Sequence, residues 1–435
     1  MIYKLKNLFS CSLFVTILLA VSGFAGDQVS GEQWQDPFPS ARERYQSSPD
    51  SLKLNQVLSL VAAANPSLKA GLKRIEAAEG LMMQAGLWPN PELEVEVEEV
   101  GWDAPGLQES EITVLLSQEI QLWGNRRNRR LVARREFEAT QLQTQVTAFD
   151  IHAIAVERYY TLSHAQRRVA LAQESVDLAT DIAESARARI DMGASMLSEL
   201  LLGQLEIEIA ALELADAMAD LETARTELSS LWQGDASEIV AANVDFDPAV
   251  LKRIEALQSL LNGSRDVRFL EAETSLADAE LNLQRSGSKP SISISGGYKR
   301  IEADGFNSFV LGVGLPLPFL DRNQGSIRAL EARKDALRLL RQQALVTSRV
   351  EFETSKRRIE QQTTRYHAIK TRVLPKAEEA YLSLKSAYEK GRLPYSTLLE
   401  AQRMLLDLRF EQNDIELSIR RETGAIERLL GVTIQ

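Results

Sequence analysis

The sequence predicts a mainly α-helical chain with a small β portion, in which long antiparallel coiled-coil helical hairpins accompany four membrane β-strands in two structural repeats. Three observations predict it. From about residue 66 the same order of features is stated twice, the second time roughly 200 residues after the first. Apolar heptads persist over stretches far longer than ordinary globular helices. Four short segments alternate apolar and polar residues with period two. The correspondence between the copies is ordered: Pro89 answers to Pro290, and Trp123-Gly124-Asn125-Arg126 to Leu320-Asp321-Arg322-Asn323. Gly193 answers to Gly391, and Leu231-Trp232-Gln233-Gly234 to Arg428-Leu429-Leu430-Gly431.

Residues 1–25 read as a signal peptide. Lys4 and Lys6 precede an apolar run from Leu8 to Ala20, and Gly23-Phe24-Ala25 offers a cleavage site. The run is short of the roughly 20 residues a membrane helix needs. Cys11 lies inside it, so the processed chain is expected to carry no cysteine, disulfide or thiolate metal site. Residues 26–50, rich in Ser, Pro, Gln and Asp, read as an extended N-terminal arm.

The first repeat is assigned to residues 51–233. Helical periodicity runs from near Leu52 through Leu68, Leu72, Ile75 and Leu81 and stops before Pro89. The period then changes to two: Leu93, Val95 and Val97 alternate with Glu92, Glu94, Glu96 and Glu98, and Ile112, Val114 and Leu116 share one face of the next segment. A β-hairpin over 91–120 follows. From about Asn125 to Ile190 a single helix is predicted, about 100 Å long at 1.5 Å per residue. Leu142, Val146, Phe149, Ala153, Val156 and Tyr160 form its heptad series, with the hairpin tip near 193. Beyond that tip the series Leu197, Leu200, Gln204, Ile207, Ala211, Leu214, Met218, Leu221, Arg225, Leu228 keeps the same spacing.

Residues 234–264 lose the strict period and read as a linking segment. The second repeat, 265–435, carries a hairpin over 290–317 and a long helix interrupted at Pro375. Its tip falls near 391, and the returning helix repeats as Leu398, Ala401, Leu405, Leu408, Gln412, Ile415, Ile419, Glu422, Ile426, Leu429.

Composition removes several function classes. With 435 residues, 44% hydrophobic and 26% charged, the chain has a folding composition, and its net charge of -11 argues against nucleic acid as partner. No nucleophile–base pair, phosphate loop or zinc motif is present, so neither an enzyme nor a cofactor is expected. His152, His164, His367 and Met82-Met83 lack further donors at regular helical spacing and read as packing or surface residues. Outside the signal peptide no run of 18 apolar residues occurs, so any membrane crossing must use strands. An open sheet in a bilayer leaves edge hydrogen bonds unsatisfied, and membrane barrels need at least about eight strands. Several copies of the chain must therefore share one barrel.

Three strings carry a family likeness: Gly86-Leu87-Trp88-Pro89-Asn90-Pro91-Glu92, Gly314-Leu315-Pro316-Leu317-Pro318-Phe319-Leu320-Asp321-Arg322-Asn323-Gln324-Gly325, and Tyr388-Glu389-Lys390-Gly391 with Leu398-Leu399-Glu400-Ala401-Gln402. Through them the chain resembles the TolC-like outer membrane efflux channels, within them the CzcC/CusC heavy-metal branch. The resemblance implies a homotrimer with a barrel of about 12 strands in outer membrane lipid and a helical tunnel in the periplasm. It also implies two partners, a periplasmic adaptor (membrane fusion) protein and an inner-membrane RND-type pump. It makes Gly193, Ala194, Ser195, Gly391, Arg392 and Leu393 candidate adaptor contacts, although a helix reversal explains the glycines alone. Glu199, Thr397 and Glu400 fall where the family narrows its tunnel entrance; the match is partial because Thr397 is not acidic. A solvated helix face is the alternative for these three.

Glu94, Glu96 and Glu98 occupy the polar strand face, which in a closed barrel is the lumen; any water-filled pore also needs polar residues there. Arg126, Arg127, Arg129, Arg130, Arg134 and Arg135 open the first long helix against its dipole. Carboxylates of another subunit or phospholipid headgroups, with Trp88 and Trp123 as interfacial aromatics, are the two available counterions. The expected function is a passive outer-membrane duct for heavy-metal cations. Drugs or secreted polypeptides are alternative cargo, and a soluble periplasmic coiled-coil scaffold is an alternative of another class.

Overall fold

The computed structural model describes residues 52–99, 110–193, 196–235, 240–241, 250–302 and 305–434. The expected signal peptide and arm, and Ala194 and Ser195, lie outside the described residues. Along the chain run α1 (Leu54–Ala64), α2 (Pro66–Ala85), β1 (Glu92–Glu98), β2 (Glu111–Ile120), α3 (Asn125–Asp191) and α4 (Leu197–Ser229). Then come α5 (Val250–Leu257), a 3-10 turn (Gln258–Gly263), α6 (Arg265–Gly287), β3 (Ile292–Ile301) and β4 (Phe306–Gly314). The chain closes with α7 (Gln324–Ala368), a π-helical stretch (Ile369–Val373), α8 (Leu374–Glu389) and α9 (Tyr395–Leu430).

Two prolines explain the helix breaks. The first periodic run is two helices, because Pro66 has no N–H to donate and occupies the first position of α2. Asn65 caps that helix, its Oδ1 accepting from the backbone N–H of Ser67 at 3.0 Å and of Leu68 at 3.3 Å. Its Nδ2 donates to the Leu231 carbonyl at 2.9 Å, which fixes the break against the end of the second hairpin arm. Pro375 acts more gently. Its missing donor is absorbed by the single π-helical stretch just before it, so α7 and α8 remain nearly continuous. No described helix is long and apolar enough to cross a membrane.

The described residues form two compact units. One comprises 71–144 and 266–344 and contains the sheet. Its strand order is β1-β2-β3-β4, all antiparallel, which leaves β1 and β4 as edges. Register places Leu93, Val95 and Val97 opposite Leu116, Val114 and Ile112, and these lie in line with Ile294 and Tyr298 of β3. Phe309, Leu311 and Val313 of β4 complete the face. All four strands therefore contribute to one largely apolar face, which Gln118, Arg300 and Asn307 interrupt.

The other unit holds the described residues of 1–70, 145–265 and 345–435. Here α9 behaves as the heptads predict, with Leu398, Leu405, Ile415, Ile419 and Ile426 buried. The α4 series does not. Of the predicted seam only Leu228 is buried, while Gly203, Ala210, Ala217 and Ala224, also spaced by seven, are. In α3 the small residues Ala165, Ala172, Ala179 and Ala186 are buried at the same spacing. A Cβ placed on Gly203 would sit 3.0 Å from the Ala183 Cβ and 3.2 Å from its Cα. The backbones approach so closely that only small residues fit between them, and Leu201, Leu205 and Leu212 are turned outward.

Ion pairs then hold α9 in the middle of this unit. Arg409 bridges Glu174 of α3 and Glu378 of α8, the latter at 2.8 Å. Arg167 pairs with Glu416, and His164 Nε2 lies 2.7 Å from Asp414 Oδ1. Arg365 of α7 pairs with Glu411.

The C-terminal end of α9 contains a titratable clasp. Glu427 is buried, and its Oε1 accepts the Ile434 N–H at 2.6 Å, docking the last described residues onto the core. Burial pushes its carboxyl up to about 7, against the opposing pull of that hydrogen bond and of Arg420 and Arg253. A carboxyl raised in the fold stabilises below its unfolded value, and that contribution is lost as pH rises through about 7. Glu427→Gln keeps the acceptor without the charge. Thermal unfolding of the wild type is expected to lose about 2–3 kcal/mol more than the variant between pH 5 and pH 8; parallel curves would rule this clasp out as the source.

Candidate functional site

The helical turns come first. Gly193 and Gly391 both adopt φ +72, where a side chain is strained. Around Gly391 the backbone makes the paired bonds of a left-handed helix end: Gly391 N–H to the Tyr388 carbonyl at 2.8 Å and Arg392 N–H to the Ala387 carbonyl at 2.9 Å. Gly193 N–H reaches the Ile190 carbonyl at 2.8 Å. Among the described residues nothing lies within 4 Å of a Cβ added at Gly193, so conformation rather than crowding requires glycine there. Arg392 is exposed and Leu393 half-buried.

Tyr388 joins three helices at this point. Arg189 of α3, buried, donates from Nη1 to the Tyr388 carbonyl at 3.0 Å and lies 4.3 Å above its ring. The phenol of Tyr388 donates to Glu199 Oε2 on α4 at 3.2 Å. Burial first, then the Glu199 carboxylate, pushes the phenol up to about 12, so it remains a donor at neutral pH. Its ring packs edge-on against Tyr395 at 6.1 Å. Burial followed by Glu206 raises Tyr395 to about 12 as well. Beyond it, Glu206 of α4 forms a two-point pair with Arg403 of α9.

The predicted entrance residues thus have different surroundings. Glu199 is half-buried and engaged by Tyr388, and Thr397 is half-buried in the first turn of α9. Glu400 is exposed in a groove along α9 with Leu399, Arg403, Met404, Asp407 and Glu411. Sequence reasoning did not single out Arg189 and Tyr388, which join the helices at this turn. A signal for the latter exists: Tyr381, Tyr388 and Tyr395 recur at intervals of seven across the turn, and all three are buried.

The sheet is the second element. Glu92, Glu94, Glu96 and Glu98 share the face opposite the apolar one, together with Thr113, Ser117, Ser293, Ser295 and Ser308. Lys299 also stands there, paired with Glu111 and 3.8 Å from Glu98, so one end of the acidic row is partly neutralised. The apolar face is bare: Leu311 is 88% and Phe309 87% exposed. Its bareness is a statement about solvent. A surface of this kind is unstable in water and suited to hydrocarbon.

Among the described residues no group of three His, Cys, Asp or Glu is arranged to hold a metal ion. His152 is buried in α3, and burial lowers it to about 4. His367 packs edge-on against Tyr366.

Comparison with known proteins agrees with this geometry. A family model described as outer membrane efflux protein matches residues 57–234 and 256–432. The chain is 30% identical over 383 residues to the cobalt-zinc-cadmium resistance protein CzcC of Cupriavidus metallidurans, covering 87% of this chain and 90% of that protein. It is 26% identical to the nickel-cobalt-cadmium resistance protein NccC of Alcaligenes xylosoxydans xylosoxydans, over 67% of each. Among solved structures CusC superposes with a TM-score of 0.72 at 16% identity, covering 94% of this chain and 99% of that one.

Proposed function

Because this chain belongs to the outer membrane efflux protein family, in its TolC-like heavy-metal branch, we propose that it is the passive duct of a tripartite system exporting heavy-metal cations. It is an outer-membrane efflux channel protein and not an enzyme. The observation that carries the reading is the four-stranded sheet with one bare apolar face and two unpaired edges. Four strands cannot close alone, whereas three copies supply about 12, within the range of membrane barrels. In the trimer, β4 of one copy pairs with β1 of the next, and the six helical hairpins form a tunnel through the periplasm. Glu94, Glu96 and Glu98 line the barrel lumen.

The turns at Gly193 and Gly391 meet the periplasmic adaptor, with Ala194, Ser195, Arg392 and Leu393 as further contacts. An RND-type pump in the inner membrane delivers the cargo. Glu199, Thr397 and Glu400 form the tunnel entrance, where carboxylates from three copies attract cations. The cargo assignment draws on the metals named for the relatives CzcC and NccC.

Single-channel recording of the reconstituted protein tests the filter. Glu400→Lys is expected to lower the cation-over-anion permeability ratio by about threefold or more, since a ring of negative charge becomes positive. An unchanged ratio removes Glu400 from the filter. For the cargo, a deletion strain is expected to lose resistance to zinc, cobalt or cadmium; loss of drug resistance alone would reassign the substrate.

A further inference from the structure

The arginines at the start of α3 divide into those that are engaged and those that are not. Arg126 donates to the Gly86 carbonyl at 2.6 Å and covers the Trp88 ring at 4.9 Å. Arg129 donates to the carbonyls of Ala85 at 2.9 Å and Leu87 at 2.7 Å. Arg134 and Arg135 both pair with Glu138. Arg127 and Arg130 remain: both are exposed, and neither has a carboxylate partner among the described residues. Two cations at the positive end of a helix, with neighbouring arginines already bound, call for an external anion.

Their neighbourhood indicates which anion. Trp88 and Trp123 are both more than half exposed, and Trp123 donates to the Pro290 carbonyl at 3.1 Å while Lys289 covers its ring at 5.0 Å. Leu87, Leu317, Phe319 and Leu320 are exposed around the same strand ends, Leu320 at 93%. Cations, indole rings and bare aliphatic groups in one band are the composition of a lipid interface. Charge is also distributed unequally along the sheet. At the helix end Arg127, Arg130, Lys289 and Arg322 outnumber Glu92, Glu119 and Asp321; at the hairpin end Glu98, Glu99, Glu111 and Glu302 outnumber Lys299 and Arg300.

We propose that this rim is a binding surface for anionic phospholipid headgroups, in which Arg127 and Arg130 hold the phosphodiester while Trp88 and Trp123 sit at the glycerol level. The inference rests on the outer-membrane channel reading and adds to it a preferred lipid and the residues that select it. Anionic lipid gathers at the rim, roughly fivefold for each cation near the surface, and anchors the strand ends at a fixed depth.

Full-length protein reconstituted in phosphatidylcholine vesicles, with either brominated phosphatidylglycerol or brominated phosphatidylcholine at equal mole fraction, tests this through tryptophan quenching. Subtracting the signal of W88F/W123F isolates the rim. Quenching by the brominated phosphatidylglycerol is expected to be at least about twofold stronger. In Arg127→Gln/Arg130→Gln the two lipids should quench alike, with quenching by phosphatidylcholine unchanged. Equal quenching of the wild type by both headgroups would overturn the proposal while leaving the channel intact. Quenching by neither would overturn the membrane placement on which it rests.

Discussion

Tyr388→Phe is expected to raise the resting open probability of the reconstituted channel by roughly tenfold to a hundredfold. The single atom removed is the donor to Glu199 at 3.2 Å, the bond that links α8 to α4 beside both helical turns. Hydrogen bonds to charged groups contribute about 1.5–3 kcal/mol, and that range corresponds to the stated shift if the bond exists only in the closed arrangement. The ring itself stays, so its packing against Tyr395 and its contact with Arg189 are kept. Tyr366→Phe is the control. Its hydroxyl donates to Glu416 at 2.9 Å, away from the turns, and its loss should leave the open probability unchanged. Single-channel recording at low voltage reads both. Identical open probabilities for wild type and Tyr388→Phe would remove the bond from gating.

Gly203→Leu has the second large effect, on assembly rather than on gating. Any side chain at this position meets Ala183, and the nearest atoms include the Ala183 Cα, which cannot rotate away. Overpacking of this kind costs about 1–3 kcal/mol in a core, and here it separates two long helices along their length. The variant is expected to lower the temperature of thermal unfolding and to lose the proposed trimer on heating well before the wild type. Ala211→Leu on the same helix faces outward and should stay within about 0.5 kcal/mol of wild type. If both variants unfold together with wild type, close backbone approach does not govern this hairpin.

Much of the architecture was legible because two periods survive in the sequence. Period two located all four strands, and the register brings Leu93, Val95 and Val97 into line with Phe309, Leu311 and Val313 as one face. The long helices were located to within a few residues of Asn125–Asp191 and the α7–α8 pair, the first of them with a period-seven series over Leu142–Tyr160. The same period misled on α4. Leucines and glycine-alanine positions both recur every seven residues there, and a sequence ranks leucine as the seam because larger apolar groups bury more area. Contact distance decides otherwise, since helices that touch backbone to backbone have no room for leucine. The break at Asn65 was missed for a related reason: the apolar spacing continues across Pro66, and only the capping bonds show that the helix restarts.

The candidate site was legible in its glycines and hidden in its bonds. Gly193 and Gly391 declared themselves because a positive φ leaves few alternatives at a helix reversal. Glu199 and Glu400 looked equivalent as carboxylates near those turns, yet one is engaged by a buried tyrosine and the other lies in an open groove. That difference depends on residues nearly 190 positions apart in the chain, Glu199 and Tyr388, meeting through packing. The arginines of α3 divide the same way: which are taken by the carbonyls of Ala85, Gly86 and Leu87 follows from where α2 ends in space.

By itself, then, the sequence determined whatever is periodic and local: helix and strand identity, the reversal points and the apolar face of the sheet. Tertiary structure alone decided which small residues form the α3–α4 seam, which carboxylate Tyr388 engages, and which arginines have no carboxylate partner among the described residues. The reason is physical. Periodicity is set by backbone geometry within a few residues, whereas hydrogen-bond partners and close approaches depend on distances between segments that only packing brings together.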